Sequence, residues 1–282
     1  MPEALRPEDY AEPRCVLCDE PYGAEPEIRA VPQERIVRKM NEYMARRDYP
    51  GAERHLLYWL EEAKLGRDQR GELTIRNELV GHYRKTGEKE KALVQVDEVL
   101  RLIKELDFGG TISAGTSFVN AGTALNAFGE NARALELFRR AREVYEAVPS
   151  VGKELLGGLY NNMGLTHVAL GQFPEADALY RKALSLMEQV PGGELEQAIT
   201  WLNMASAAEA EQGPEEAEQT VSGYLDRAYE LLQNSSAPRD GYYAFVLEKC
   251  APSFDYWGRF LESRRLKKQA EEIYRQVSGA ST

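Results

Sequence analysis

Small residues recur in this chain at corresponding places roughly 42 positions apart. Ala52, Ala92, Ala134, Ala176, Ala217 and Ser263 form one series. Seven residues further on, Ala141, Ala183 and Ala270 form another, with Trp59 and Val99 holding that place earlier. A seven-residue step returns to one face of an α-helix. Each stretch therefore predicts a helix whose small face lets a neighbouring helix close on it without a gap. Upstream of each lies a second pattern. Small residues at Gly122, Gly164, Ser206 and Ala251 are followed three positions later by bulkier ones at Leu125, His167 and Phe254, a place that Tyr43 and Tyr83 hold in the first two segments. Each segment thus predicts two helices. Gly87, Gly129, Gly171 and Gly213 succeed one another at intervals of 42 and mark the turn inside each pair.

The period also predicts its own breaks. Arg47 takes the glycine's place in the first unit, and the step from Gly213 to Gly258 is 45. The fifth unit's second helix, expected over residues 215–233, gains about one turn of roughly 3.6 residues. Pro149 and Pro191, again 42 apart, close the second helices of units three and four, since proline cannot continue a helix. A fixed interval of this size indicates an array of stacked units and not a closed core. The fold class is all-α, an α-solenoid of about six helix pairs over residues 33–277, between a distinct segment 1–32 and a short tail 278–282.

The fourth unit reads Leu159-Tyr160-Asn161-Asn162-Met163-Gly164, then Gly171-Gln172-Phe173-Pro174-Glu175-Ala176, then Tyr180-Arg181-Lys182-Ala183. In order and spacing these elements resemble the tetratricopeptide repeat family, in the longer 42-residue variety of kinesin light chains and many bacterial relatives. The resemblance runs from about Gln33 to Val277. It implies a right-handed superhelix whose first helices line a concave groove that holds peptides or partner segments.

Charge and composition narrow the partner. A formal charge of −11 disfavours nucleic acid and anionic membrane, which are bound through clustered Lys and Arg. No stretch approaches the roughly 18 uninterrupted apolar residues of a membrane helix. The start of the chain has no basic and apolar export pattern, so a cytoplasmic setting with reduced cysteines is expected. No phosphate loop, metalloprotease motif or paired nucleophile and base is present, so no enzymatic activity and no cofactor are expected. The expected partner is a protein or peptide, and the pattern does not indicate an oligomeric state.

Within the implied groove, Asn77, Asn161 and Asn203 align at one place in units two, four and five, and Asn120 sits one residue further along in unit three. An amide both donates and accepts, so a row of them suits the backbone of an extended peptide. The same asparagines would serve equally to tie neighbouring helices together. Gly81, Gly158 and Ala207 would leave room nearby. In some family members basic and amide groups clamp a terminal carboxylate, a role that only Asn77 and Arg84 fit loosely here. His55, His82 and His167 read as packing residues. Around Pro252, the aromatics Tyr242, Tyr243, Phe245, Tyr256 and Trp257 form either a stiff end to the array or a binding wall. Arg259, Arg264, Arg265, Lys267, Lys268 and Arg275 read as a solvated capping face.

Segment 1–32 holds six of the chain's 13 prolines and three Arg against eight Asp and Glu. It is expected to be extended, packed as a tail or lying in the groove in place of a ligand. Cys15 and Cys18 have the spacing of half a zinc site or a redox pair, but no second pair follows. The leading reading is a non-enzymatic scaffold or adaptor. The alternatives are a peptide- or metal-responsive sensor acting through a second protein, and a zinc- or thiol-dependent protein using Cys15 and Cys18.

Overall fold

The computed structural model describes residues 27–279. Among them are twelve α-helices and no strand: α1 (Gln33–Ala45), α2 (Tyr49–Leu65), α3 (Gln69–Thr86), α4 (Lys89–Glu105), α5 (Ile112–Ala127), α6 (Asn131–Ala147), α7 (Lys153–Ala169), α8 (Phe173–Met187), α9 (Glu194–Gln212), α10 (Glu218–Asn234), α11 (Gly241–Tyr256) and α12 (Phe260–Gly279). The architecture is an α-solenoid of helix pairs, and it groups into two compact units that divide between Ile75 and Arg76.

The turn inside most pairs has one construction. Gly87, Gly129, Gly171 and Gly258 adopt φ of 71° to 80° just past a helix end, a left-handed conformation that costs glycine nothing. The following N–H then reaches back to a carbonyl five residues earlier: Glu88 to Tyr83, Glu130 to Leu125, Gln172 to His167 and Arg259 to Phe254, at 2.8–2.9 Å. These acceptors are the bulky residues of the first-helix pattern, so one position both packs and closes the helix in a Schellman turn. Arg47 copies the geometry at φ 57° without being glycine, and Arg67 and Asp107 do so between pairs.

In the first unit α1 packs on α2. Ile36, Ala52, Leu56 and Ala63 are at most 1% exposed. The chain entering α1 is pinned to the end of α2 by Arg29 N–H to Gly66 O, 2.9 Å. The buried Asp68 carboxylate accepts from both Val31 N and Gly71 N at 2.9 Å.

In the second unit α5 pairs with α6, α7 with α8, α9 with α10 and α11 with α12, while the first helices α5, α7, α9 and α11 follow one another in contact. Ala92, Ala134, Ala176, Ala217 and Ser263 are all fully buried, as the first series requires. The closest approaches run the other way. Gly115 and Gly122 lie under Tyr145 and Phe138, and 42 residues on Gly157 and Gly164 lie under Met187 and Tyr180, each so near that a Cβ would fall 2.5–2.7 Å from the covering side chain. Glycine here makes room for a large partner.

One unit builds its packing triad differently. Phe118 lies under the Arg140 guanidinium (4.1 Å) and Tyr160 under the Lys182 ammonium (5.7 Å), and Leu137 and Leu179, three residues before those cations, are buried. The corresponding places 42 residues earlier hold Arg76, Gln95 and Glu98. Arg76 is buried, donates to Gln95 Oε1 at 2.7 Å and pairs with Glu98 at 3.1 Å.

Three expectations need correcting in the fifth unit. Gly213 is itself the cap of α9, with φ 90° and ψ 161°, and is not the residue beyond it. The helix therefore runs further before its turn, and α9 sits 41 residues from α7 instead of 42. Ala205, fully buried, takes the small position expected of Ser206, which is exposed. Residues 214–217 form a turn, so α10 starts at Glu218 and not at 215. Pro252 lies inside α11 without ending it.

Candidate functional site

The first helices turn one stripe away from their partners. On α5 it includes Asn120 and Thr123; on α7, Gly158, Asn162 and Leu165; on α9, Asn203 and Ser206; on α11, Phe245, Lys249 and Pro252. Steps of three and four residues keep each set on one helix face. Gly81 and Gly158 border open space, for a Cβ at either would meet no atom within 4 Å.

The expected asparagine row splits between two register positions. With the one-residue slip in α9, Asn120, Asn162 and Asn203 share a register position, while Asn77 and Asn161 occupy the neighbouring one. Asn120 donates to the Asn77 carbonyl (2.8 Å), and Asn203 donates to Asn161 Oδ1 (3.0 Å). Asn77 in turn donates to Ser117 Oγ at 3.0 Å. These four tie α3 to α5 and α7 to α9, so Asn77 does not present a free amide for a carboxylate clamp. Asn162 is different: it is half-buried, and its side-chain amide makes no hydrogen bond with the described residues. Sequence reasoning passed over it because its neighbour Asn161 carries the same letter.

Arg84 is exposed and makes no ion pair or hydrogen bond with the described residues. Glu78, half-buried on the same helix, has its carboxyl pushed up by burial. The aromatics around Pro252 separate as well. Tyr243 is fully buried, with its hydroxyl on Leu232 O at 2.5 Å and Arg239 over its ring at 4.1 Å. Tyr242, Phe245 and Tyr256 are 52%, 49% and 71% exposed, an extent that single core residues do not show.

The histidines pack. His55 shares a hydrogen bond with Ile36 O (3.1 Å), His167 with Gln172 Oε1 (2.7 Å), and His82 is buried. The basic face of α12 is partly neutralised by Arg259–Asp226 (2.8 Å) and Lys267–Asp255 (2.5 Å). Cys250 is buried in the α9–α12 core, and desolvation pushes its thiol up to about 12, which makes it a poor nucleophile or metal ligand. Cys15, Cys18 and most of segment 1–32 lie outside the described residues, as does the end of the tail. No described helix is long and apolar enough to cross a membrane.

Comparison with known proteins bears directly on this arrangement. Residues 115–148 and 155–221 match two tetratricopeptide repeat family models. These stretches of the chain carry tetratricopeptide repeats. The matched stretches take in α5, α6 and the helices from α7 to the start of α10, where the 42-residue spacing and the glycine-under-ring packing are most regular.

Solved repeat structures are similar to this chain at low identity. BtubC (BKLC) from P. vanneervenii is 16% identical over 89% of this chain and 94% of that one, with a TM-score of 0.45. A putative kinesin light chain of nearly identical TPR-like repeats from Podosopora anserina is 16% identical over 72% and 94%, with a TM-score of 0.46. NprR, solved in complex with its cognate peptide NprX, is 15% identical over 86% and 67%, with a TM-score of 0.57. Among curated proteins none matches the chain.

Proposed function

We propose that this protein is a non-enzymatic interaction module, a scaffold or adaptor whose first-helix face captures an extended peptide or partner segment. The observation that carries the reading is the unpartnered Asn162 amide, set between Gly158, which opens on free space, and Leu165, on the stripe that the paired helices leave uncovered. An amide so placed can donate to and accept from a peptide backbone whatever the side chains are. NprR has been solved with a peptide bound; shared architecture alone does not transfer that role, and the support here is the site itself. The buried, free Cys250 is in keeping with a reducing, cytoplasmic setting.

The two kinds of asparagine provide the test. Replacing Asn162 with Ala should weaken binding of a peptide selected on this protein by about fivefold to tenfold, the loss of one or two hydrogen bonds, and leave chemical unfolding unchanged. Replacing Asn161 and Asn203 together should instead lower stability by about 1 kcal/mol through the lost inter-helix bond. Binding that ignores Asn162→Ala would contradict the proposal.

A further inference from the structure

We infer that the α9–α11 end of this face receives lysine or arginine side chains of the captured segment, an inference that rests on the peptide-capture reading. Charge is distributed unevenly along the first helices. The place that Arg84 holds on α3 is held in turn by Asn126, Val168, Glu209 and Asp255 on α5, α7, α9 and α11, so one edge passes from basic through neutral to acidic. Helix α5 has no charged residue, whereas α9 and α11 together carry six carboxylates and one cation, Lys249.

Two of those carboxylates are held without being neutralised. The Tyr242 hydroxyl donates to Glu196. The Tyr256 hydroxyl (3.0 Å) and the Trp257 indole N–H (2.9 Å) both donate to Glu209. Neither acid has a cationic partner among the described residues, unlike Asp255, which Lys267 occupies at 2.5 Å. Neutral donors fix a carboxylate in place and leave it its full charge and further lone pairs. Beside each lies an exposed ring: Tyr242, stacked with Phe245 at 6.4 Å, by Glu196, and Tyr256 by Glu209.

An ammonium or guanidinium group that lies against such a ring and reaches the adjacent carboxylate gains a cation–π contact and a charge-assisted hydrogen bond together. Glu196 and Glu209 stand 13 helical residues apart, about 20 Å at the α-helical rise, so each is a separate seat. An acidic or purely apolar segment would leave both carboxylates uncompensated. The partner chemistry that fits is a basic segment.

The test pans random ten-residue peptides displayed on phage against the full chain and measures the best binders as synthetic peptides by fluorescence anisotropy. Selected sequences should be enriched in Lys and Arg over the input library, and added salt should weaken them. Glu196→Gln combined with Glu209→Gln should weaken them by about tenfold, with the thermal midpoint unchanged. Binders that show no basic enrichment, or that bind the double variant equally well, would overturn this inference and leave peptide capture standing. Failure to select any binder would overturn both.

Discussion

Placing a valine at Gly164 should lower the unfolding free energy by about 2–3 kcal/mol. The added Cβ would sit 2.5 Å from Tyr180 Cε1 and 2.8 Å from Cζ, and that ring is fully buried. Alanine at Gly158, six residues earlier on the same helix, should do the reverse. Its Cβ meets nothing within 4 Å, so the gain in helix propensity, up to about 1 kcal/mol, stands alone. Chemical denaturation of the two variants checks both signs. Equal effects would mean that glycine is present in α7 for reasons other than the covering ring.

Truncating Arg76 to Ala should cost a similar amount, about 2–3 kcal/mol, because it strips a buried guanidinium from Gln95 and Glu98. The loss is held below that of a fully buried pair because Glu98 is one-third exposed and keeps Arg101 at 3.0 Å. Arg76→Phe, Gln95→Leu and Glu98→Arg together would rebuild the triad found 42 residues later at Phe118, Leu137 and Arg140. That triple variant should unfold within about 1 kcal/mol of the original, since replacing a buried polar cluster with packed apolar groups is commonly neutral or favourable. If it is as unstable as Arg76→Ala, the triads are not interchangeable and the repeat register is wrong at this unit.

Much of this architecture is legible in the sequence because one position does two jobs. Tyr83, Leu125, His167 and Phe254 each pack in a first helix and accept the turn's closing hydrogen bond, so a change in spacing would disturb both and the interval stays visible. Arg47 shows the rule without the glycine, at φ 57°. The fifth unit misleads because Gly213 keeps the interval in letter while its backbone takes an extended ψ and caps the helix directly. That slip moves the small position from Ser206 to Ala205 and places Asn203 level with Asn162 instead of Asn161.

The site was legible only as a region. Adjacent residues on a helix point about 100° apart, which follows from 3.6 residues per turn, so Asn161 meets the neighbouring helix while Asn162 does not. Spelling alone cannot separate them. The same holds on α11, where Tyr243 enters the core and Tyr242 faces outward. The carboxylates at Glu196 and Glu209 drew no notice in the sequence, since their aromatic donors lie 46 to 48 residues away.

The claim that the first helices form the capture surface is tested most directly by hydrogen–deuterium exchange with and without a selected peptide bound. Binding should slow exchange in α5, α7, α9 and α11 and leave α6, α8, α10 and α12 unchanged. Protection confined to the second helices would contradict the account.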